Sequence, residues 1–130
     1  MDHTAEMNYD EYITGQRVIF VGACPNLVGR RRGDFIHSYD IIVRTNGSFP
    51  VKAAYQRDYG KRCDVLYVNQ QFRREMRPLD CSLYRREKLR WLCGKKFSNV
   101  EKKTYRKYLY GVRDLTDVCK DVSRGLPSAT

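Results

Sequence analysis

The sequence predicts an α/β fold of three layers, in which a short parallel sheet is flanked by helices. Three apolar runs predict strands, at residues 16–22, 40–45 and 63–69. The segments between these runs are long enough for helical crossovers and lack the two-residue turns of hairpins. We therefore expect the strands to pair in parallel, with right-handed connections.

The first half of the chain predicts a regular alternation of strand and helix. A loop at 23–30 leads from strand one to a short helix near 31–38, in which Phe35 and Ile36 are expected to face the sheet. A second helix or turn is predicted at 52–59 and ends at Gly60. Strand three is apolar enough to lie beside strand one, which predicts the spatial order 3-1-2 or 2-1-3 with strand one in the middle.

The second half predicts helices only. Residues 70–92 indicate two helical pieces separated by Pro78 and stopped by Gly94. Another helix is expected at 99–110 and a short one at 112–122. A polar arm at 1–15 and a single domain at 16–130 complete the predicted organisation.

Composition points to one compact domain without a membrane anchor. The chain has 130 residues, 42% of them hydrophobic, and no apolar run of about 18 residues that could span a bilayer. The N-terminus lacks the features of a signal peptide. An odd number of cysteines, without metal-ligand spacing, indicates free thiols and a cytoplasmic protein that holds no metal. The five are Cys24, Cys63, Cys81, Cys93 and Cys119.

Positive charge is concentrated in the second half. Residues 73–113 contain fourteen basic and four acidic residues, within a net charge of +10 for the whole chain. A surface of this kind attracts polyanions such as nucleic acid, although a solvated helical face is the alternative. No zinc finger, helix-turn-helix or aromatic RNA-binding motif accompanies the charge.

The stretch from residue 21 to 46 carries the strongest functional signal, and it reads VGACPNLVGRRRGDFIHSYDIIVRTN. A turn that leaves a parallel strand presents backbone N–H groups at the carboxyl edge of the sheet, as in Rossmann-like folds. Gly22 and Gly29 would let the backbone approach a phosphate, and the amide of Asn26 could donate a hydrogen bond to it. Asn46 follows strand two and would reach the same crevice.

This stretch resembles the large sialyl motif of glycosyltransferase family 29, the CMP-sialic-acid-dependent sialyltransferases, which read roughly VGNSGNLxGSxxGxxIDSHDxVxRxN. Eleven positions agree without a gap: Val21, Gly22, Asn26, Leu27, Gly29, Gly33, Ile36, Ser38, Asp40, Arg44 and Asn46. Residues 58–62 are similar to the DVGxK/R segment of the family. Residues 126–130 look like the opening PSTG of its small sialyl motif.

The resemblance implies a nucleotide-sugar-binding module with CMP-sialic acid as donor ligand and no required cofactor. Asn26 and Asn46 correspond to asparagines that contact the CMP phosphate and ribose, and Gly22 and Ser128 complete the predicted binding residues. The segment with the catalytic base histidine has no counterpart, so no catalytic residue is assigned and the module is expected to be a truncated half domain, inactive by itself. Such a remnant would suit a viral or bacterial genome.

Two substitutions in the motif favour weakened donor binding. Ala23 replaces the first asparagine of the motif, and Pro25 removes a backbone donor where a phosphate would lie. The alternative function is therefore a basic, non-enzymatic structural or interaction protein that binds nucleic acid or a protein. Whether the chain is an enzyme, and its oligomeric state, are left open.

Most motif residues also have a purely structural interpretation. The glycines would only permit a tight turn, and Asp40 would act as a cap or internal hydrogen-bond partner. Residues 30–32 could grip phosphate or equally form a solvated loop, and Ser38 would bond the local backbone. Cys24 is the one thiol placed to be reactive, and His37 is read as an ordinary surface or packing histidine.

Overall fold

A computed structural model of the chain describes residues 7–76 and 78–116. Within them, five strands form one sheet in which every neighbouring pair is parallel. The strands are β1 (Val18–Phe20), β2 (Ile41–Thr45), β3 (Val65–Tyr67), β4 (Trp91–Gly94) and β5 (Gly111–Asp114). The predicted Rossmann-like α/β class, with a parallel sheet and helices, is confirmed.

Helices alternate with the strands along the chain. They are α1 (Tyr9–Ile13), α2 (Gly33–His37), α3 (Gln56–Tyr59), α4 (Gln70–Arg74), α5 (Pro78–Arg86) and α6 (Asn99–Arg106). One-turn 3-10 helices lie at Pro25–Leu27, Asn46–Ser48 and Ala53–Tyr55. Gly60, with a positive φ of 74°, ends α3 as predicted.

The predicted strand order is wrong. The strands follow one another in space as they do in sequence, β1-β2-β3-β4-β5, so strand one lies at an edge. β3 pairs with β2, with Val65 opposite Val43, and does not pair with β1. The apolar run of β1 suggested a buried central strand. At the edge, however, its apolar residue Phe20 is 60% exposed.

The helices predicted at 70–92 and 112–122 are wrong where β4 and β5 lie. All four residues of β4 are buried, as expected of a central parallel strand. The first residue of β5, Gly111, must be glycine, because a Cβ atom there would lie 2.6 Å from the Trp91 ring of β4. Residues 117–122 lie outside the described part of the chain.

The sheet carries a different cover on each face. Ile42, Leu66 and Leu92 face one side and pack with side chains from the crossover segments. Val43 and Trp91 face the other side and pack against α1, which begins with an Asn8 capping box. Of the two α2 residues predicted to face the sheet, Ile36 is buried but Phe35 is 52% exposed.

The cysteines of the described residues are unpaired. Cys24 is exposed, whereas Cys63, Cys81 and Cys93 are buried. Burial raises the pKa of Cys63 and of Cys93 to about 12, so both remain uncharged apolar thiols. Cys119 lies outside the described residues. No helix among those residues is long and apolar enough to cross a bilayer.

Candidate functional site

A cleft of about 360 Å³ opens at the carboxyl ends of β1 and β2. Its walls are the loop after β1, residues 21–25, and the segment after β2, mainly residues 47–52. Four further side chains complete the lining: Val28, Arg44, Tyr55 and Tyr59. Ligands of open parallel sheets bind at this edge, because the loops that leave the strands converge there.

The loop after β1 contains unpaired backbone donors at residues that line the cleft. Val21 still belongs to the sheet, since its N–H donates to the Val43 carbonyl at 2.8 Å. The next three N–H groups, of residues 22–24, donate no hydrogen bond within the described part of the chain. A Cβ atom on Gly22 would meet nothing within 4 Å, so the backbone there is open to close approach.

Pro25 does not disturb this loop. It occupies the first position of a one-turn 3-10 helix, and its carbonyl accepts the Val28 N–H at 3.2 Å. The first position of a helical turn leaves its N–H unbonded in any case, so proline costs little there. The N–H donors that remain lie immediately before Pro25.

Arg44 is the charged group at the buried side of the cleft. Its side chain is 1% exposed, and it donates from Nε to the Arg62 carbonyl and from Nη2 to the Tyr59 carbonyl, each at 2.9 Å. Burial lowers the pKa of Arg44 from its usual value, although guanidinium remains charged at any ordinary pH. Among the described residues it makes no ion pair, and Nη1 has no hydrogen-bond partner.

The segment 58–60 organises the cleft from behind. The Asp58 carboxylate accepts backbone N–H groups of Gly29 and Arg31, which lowers the pKa of Asp58. The Tyr59 hydroxyl donates to the Cys24 carbonyl, and the Tyr59 carbonyl accepts from Arg44. The two segments on which the family resemblance rests are therefore in direct contact, although they are more than ten residues apart in sequence.

His37 anchors the turn that follows. Its Nε2 accepts the backbone N–H of Lys61 at 2.8 Å and lies within 3.4 Å of that of Arg62. Burial, followed by the nearby Arg62 and Arg44 charges, lowers the pKa of His37. This packing role agrees with the plain interpretation of the histidine, and it requires the neutral ring.

Other motif residues also have structural partners. The Ser38 hydroxyl donates to the Phe35 carbonyl at 2.6 Å, and the Asp40 carboxylate accepts the Arg17 N–H at 2.8 Å. A Cβ atom on Gly33 would lie 2.7 Å from two backbone oxygens of α3, so glycine permits this close approach. The roles of Ser38 and Asp40 are the local ones that the sequence suggested, whereas Gly33 permits the approach of α3 rather than the suggested tight turn.

The predicted binding residues are only partly brought together. Gly22 lines the cleft. Asn26 lies beside it on the exposed 3-10 turn, where its carbonyl accepts from Arg30 Nε. Asn46 has a φ of 43°, and its Oδ1 accepts the Asn69 N–H at 3.0 Å, which ties the ends of β2 and β3 together. Ser128 lies outside the described residues.

Sequence reasoning missed the importance of Arg44 and Tyr59. From the sequence, Arg44 was identified only as a motif match. Its signal was available, because the two-residue period of a strand places it on the same face as Ile42, toward the helices. A charged residue at such a position must be buried with partners, and here the partners are backbone carbonyls.

The comparisons with known proteins leave the resemblance as it stands. No protein-family model, curated protein or solved structure matches the chain. Within residues 7–76 and 78–116, no group of three His, Cys, Asp or Glu side chains could hold a metal ion. The cleft is thus characterised by its own geometry: free backbone donors, one buried cation and apolar walls.

Proposed function

We propose that the cleft binds the phosphate of a nucleotide, and that the nucleotide is CMP or a CMP-sugar such as CMP-sialic acid. The observation that carries the proposal is the buried Arg44 guanidinium, which lines the cleft without an ion-pair partner among the described residues. An uncompensated buried cation is costly, and a bound phosphate would supply the missing negative charge.

The surroundings of Arg44 fit a phosphate rather than an arbitrary anion. Three consecutive backbone N–H groups, at residues 22–24, are free at the same cleft. Backbone N–H groups without an internal partner can donate charge-assisted hydrogen bonds to phosphate oxygens. Lys52 is an exposed cation on the opposite wall and would screen the remaining charge.

The remaining lining suits a nucleoside. The cleft volume lies at the lower end of the range for small-molecule sites. Val21, Val51 and Pro50 supply apolar wall, and the Tyr55 ring, 6.5 Å from the Tyr59 ring and perpendicular to it, is partly exposed. A ribose and a pyrimidine base can pack against such surfaces, because aromatic rings bury large areas at low entropic cost.

The choice of CMP rests on the resemblance to the sialyl motif. Asn26 lies next to the cleft, and the Asn46 amide nitrogen remains a donor because only its oxygen is used by the β3–α4 turn. The described residues that line the cleft include no His, Asp or Glu, the side chains that most often act as general bases. The proposed activity is therefore binding, and incubation with CMP-sialic acid and a galactosyl acceptor should give no product above the buffer control.

Isothermal titration with CMP, cytidine and UMP tests the proposal. We expect CMP to bind at least tenfold more tightly than cytidine, because only CMP pairs with Arg44. Arg44→Lys should weaken CMP binding at least tenfold, since the compact ammonium cannot reproduce the planar fork that reaches two carbonyls and the cleft from one side chain. The matched control is Arg86→Lys, on an exposed helix position, which should leave CMP affinity unchanged.

Equal affinity for CMP and cytidine would contradict the phosphate assignment. Equal affinity for CMP and UMP would retain the phosphate site and remove the preference for cytosine.

A further inference from the structure

A second cleft, of about 500 Å³, lies at the opposite edge of the sheet, beside the amino ends of β3 and β4. Five of its lining residues are lysines or arginines. They are Lys61, Arg62, Arg86, Lys88 and Arg90. They come from separate stretches of the chain, 61–62 and 86–90, which the fold brings together at one place.

Three of these cations have no partner in the described part of the chain. The side chains of Lys61, Arg86 and Lys88 are exposed and make neither a hydrogen bond nor an ion pair there. A cation without internal partners contributes little to folding and remains available to a ligand. The fold fixes the position of their backbones, but no contact within the described residues fixes the direction of their side chains.

The other two cations are held in place. Arg62 donates to the Asp64 carboxylate at 3.1 Å and to the Tyr39 carbonyl at 2.7 Å. Arg90 lies over the rings of Tyr12 and Tyr110, at 5.8 and 5.2 Å from their centroids. Such contacts fix the position of a guanidinium and leave some of its five N–H donors for a ligand.

The acidic residues of the cleft do not cancel its charge. Asp64 is buried, and its Oδ2 accepts from both Arg62 and the Ile42 N–H. Among the residues that the structure describes, Glu87 is the only other carboxylate that lines the cleft. Five cations against two carboxylates leave a positive potential, and low-dielectric walls focus it within the cleft.

The positive surface continues along the edge of the sheet. Arg17, which precedes β1, lies over the Tyr39 ring at 4.5 Å, and Tyr39 is bonded to Arg62. Arg17 and Arg90 thus mark a row that runs from β1 to β4. At about 4.8 Å per strand spacing, this row is roughly 14 Å long. A single phosphate would occupy only part of it.

We propose that this amino-edge cleft binds the phosphodiester backbone of single-stranded nucleic acid, without preference for sequence. An elongated row of cations matches a polymer of regularly spaced phosphates, and arginine forks match phosphate geometry. The cations line a concavity rather than a raised flat face, which a flexible single strand can enter. No base-reading motif is present, so the recognition is of charge.

The basic segment 73–113 does not form the positive surface by itself. Its fourteen cations do not share one face: Arg73 is buried, with its Nε 2.9 Å from Glu101 and its guanidinium over the Phe97 ring. Of the cations in the described part of this segment, only residues 86, 88 and 90 line the cleft. Lys61 and Arg62, which lie outside the segment, complete it.

Fluorescence anisotropy with a labelled single-stranded oligonucleotide, over a salt series, tests the proposal. The test variant is the double reversal Arg86→Glu with Lys88→Glu. The matched control is Lys103→Glu with Lys107→Glu, two exposed lysines on or next to α6 with the same change of charge. Circular dichroism and thermal melting of both variants establish that each is folded.

We expect the test variant to lose at least tenfold in affinity at low salt and the control to lose less than threefold. The slope of log affinity against log salt should become shallower by about 1.4 in the test variant, since each single-strand phosphate contact contributes about 0.7. Excess CMP should not displace the oligonucleotide, because the proposed CMP cleft lies at the other edge.

Three results would overturn the proposal. Equal losses in the two variants would show dispersed charge rather than a site. Displacement by CMP would move nucleic-acid binding to the carboxyl-edge cleft. Binding of polyglutamate as tight as that of the oligonucleotide would assign the cleft to acidic protein segments instead.

Discussion

The two edges of the sheet hold positive charge in different ways. At the carboxyl edge a single guanidinium, that of Arg44, is almost fully buried and bonded to two backbone carbonyls. At the amino edge several cations are exposed, and three of them have no partner among the described residues. The contacts of Arg44 contribute to the stability of the fold, whereas the side chains of the three exposed cations make no contact within the described residues that the fold needs.

The difference shows which groups the fold must specify. A buried cation requires carbonyls placed within hydrogen-bond distance, so its neighbours in space cannot vary freely. Exposed cations require only that their loops be adjacent. We therefore expect changes at the carboxyl edge to alter both stability and binding, and changes at the amino edge to alter binding alone.

One turn connects the two edges. The Tyr59 carbonyl accepts a hydrogen bond from Arg44, and the Tyr59 hydroxyl donates one to the Cys24 carbonyl. Lys61, two residues later, lines the amino-edge cleft. His37 holds this turn by accepting the Lys61 N–H. The carboxyl-edge cleft thus depends on a turn whose other end belongs to the amino edge.

The largest expected effect is that of Arg44→Ala on stability. The substitution removes the donors of the Tyr59 and Arg62 carbonyls and leaves a cavity beside them, which should lower the free energy of unfolding by about 3 kcal/mol. Arg86→Ala is the comparison at the amino edge and should change it by less than about 0.5 kcal/mol. Urea denaturation measures both, and similar values for the two variants would remove the distinction between the edges.

A smaller effect, of about 2 kcal/mol, is expected for Gly60→Ala. Gly60 has φ 74° and ψ 174°, a region that only glycine enters without strain, and a Cβ atom there would lie 2.8 Å from His37 Nε2. Gly15→Ala is matched in φ, at 76°, but its Cβ would meet nothing within 4 Å. We expect about 1 kcal/mol for the control by thermal or urea unfolding; a control as costly as Gly60→Ala would show that the contact with His37 contributes nothing.

The smallest effect concerns pH. The folded-state pKa of His37 is lowered, so the unfolded chain, with a histidine pKa of about 6.5, binds the proton first. The contribution of His37 to stability is therefore present above about pH 6.5 and is lost as the pH falls toward the folded-state pKa. Unfolding free energies measured from pH 7.5 to 5.5 should decrease, and His37→Gln should flatten that decrease, because Gln accepts the same hydrogen bond without titrating. The same decrease of the unfolding free energy with falling pH in the variant would contradict the role of His37. Any contribution of His3 is common to both proteins and cancels in the comparison.

The fold class was predictable, but the neighbours of each strand were not. Alternating apolar runs and helical segments identify a parallel α/β sheet, and this is what the chain forms. Those runs carry no information on order, so the position of β1 at the edge was missed. β5 was missed because the sequence pattern indicates Gly111 as the residue that stops a helix. Glycine is needed there because a side chain would collide with the Trp91 ring of the neighbouring strand β4.

The position of the cleft was predictable to a similar extent. The loop after β1 and the end of β2 were expected to meet, and Gly22 and Ser48 both line the cleft that results. The contacts of Tyr59 and Asp58 with the loop 24–31 connect positions far apart in sequence, and no local pattern reports them. Contacts of this kind depend on how α3 packs behind the loop.

The central claim, a nucleotide phosphate on Arg44, is tested most directly by NMR of the protein during titration with CMP. We expect the backbone amides of residues 22–24 and the Arg44 Nε–H to shift together, and we expect cytidine not to reproduce these shifts. Shifts confined to Lys61, Arg86 and Lys88 at the amino edge would contradict it, because the phosphate would then be bound by the exposed cations and not by the buried one.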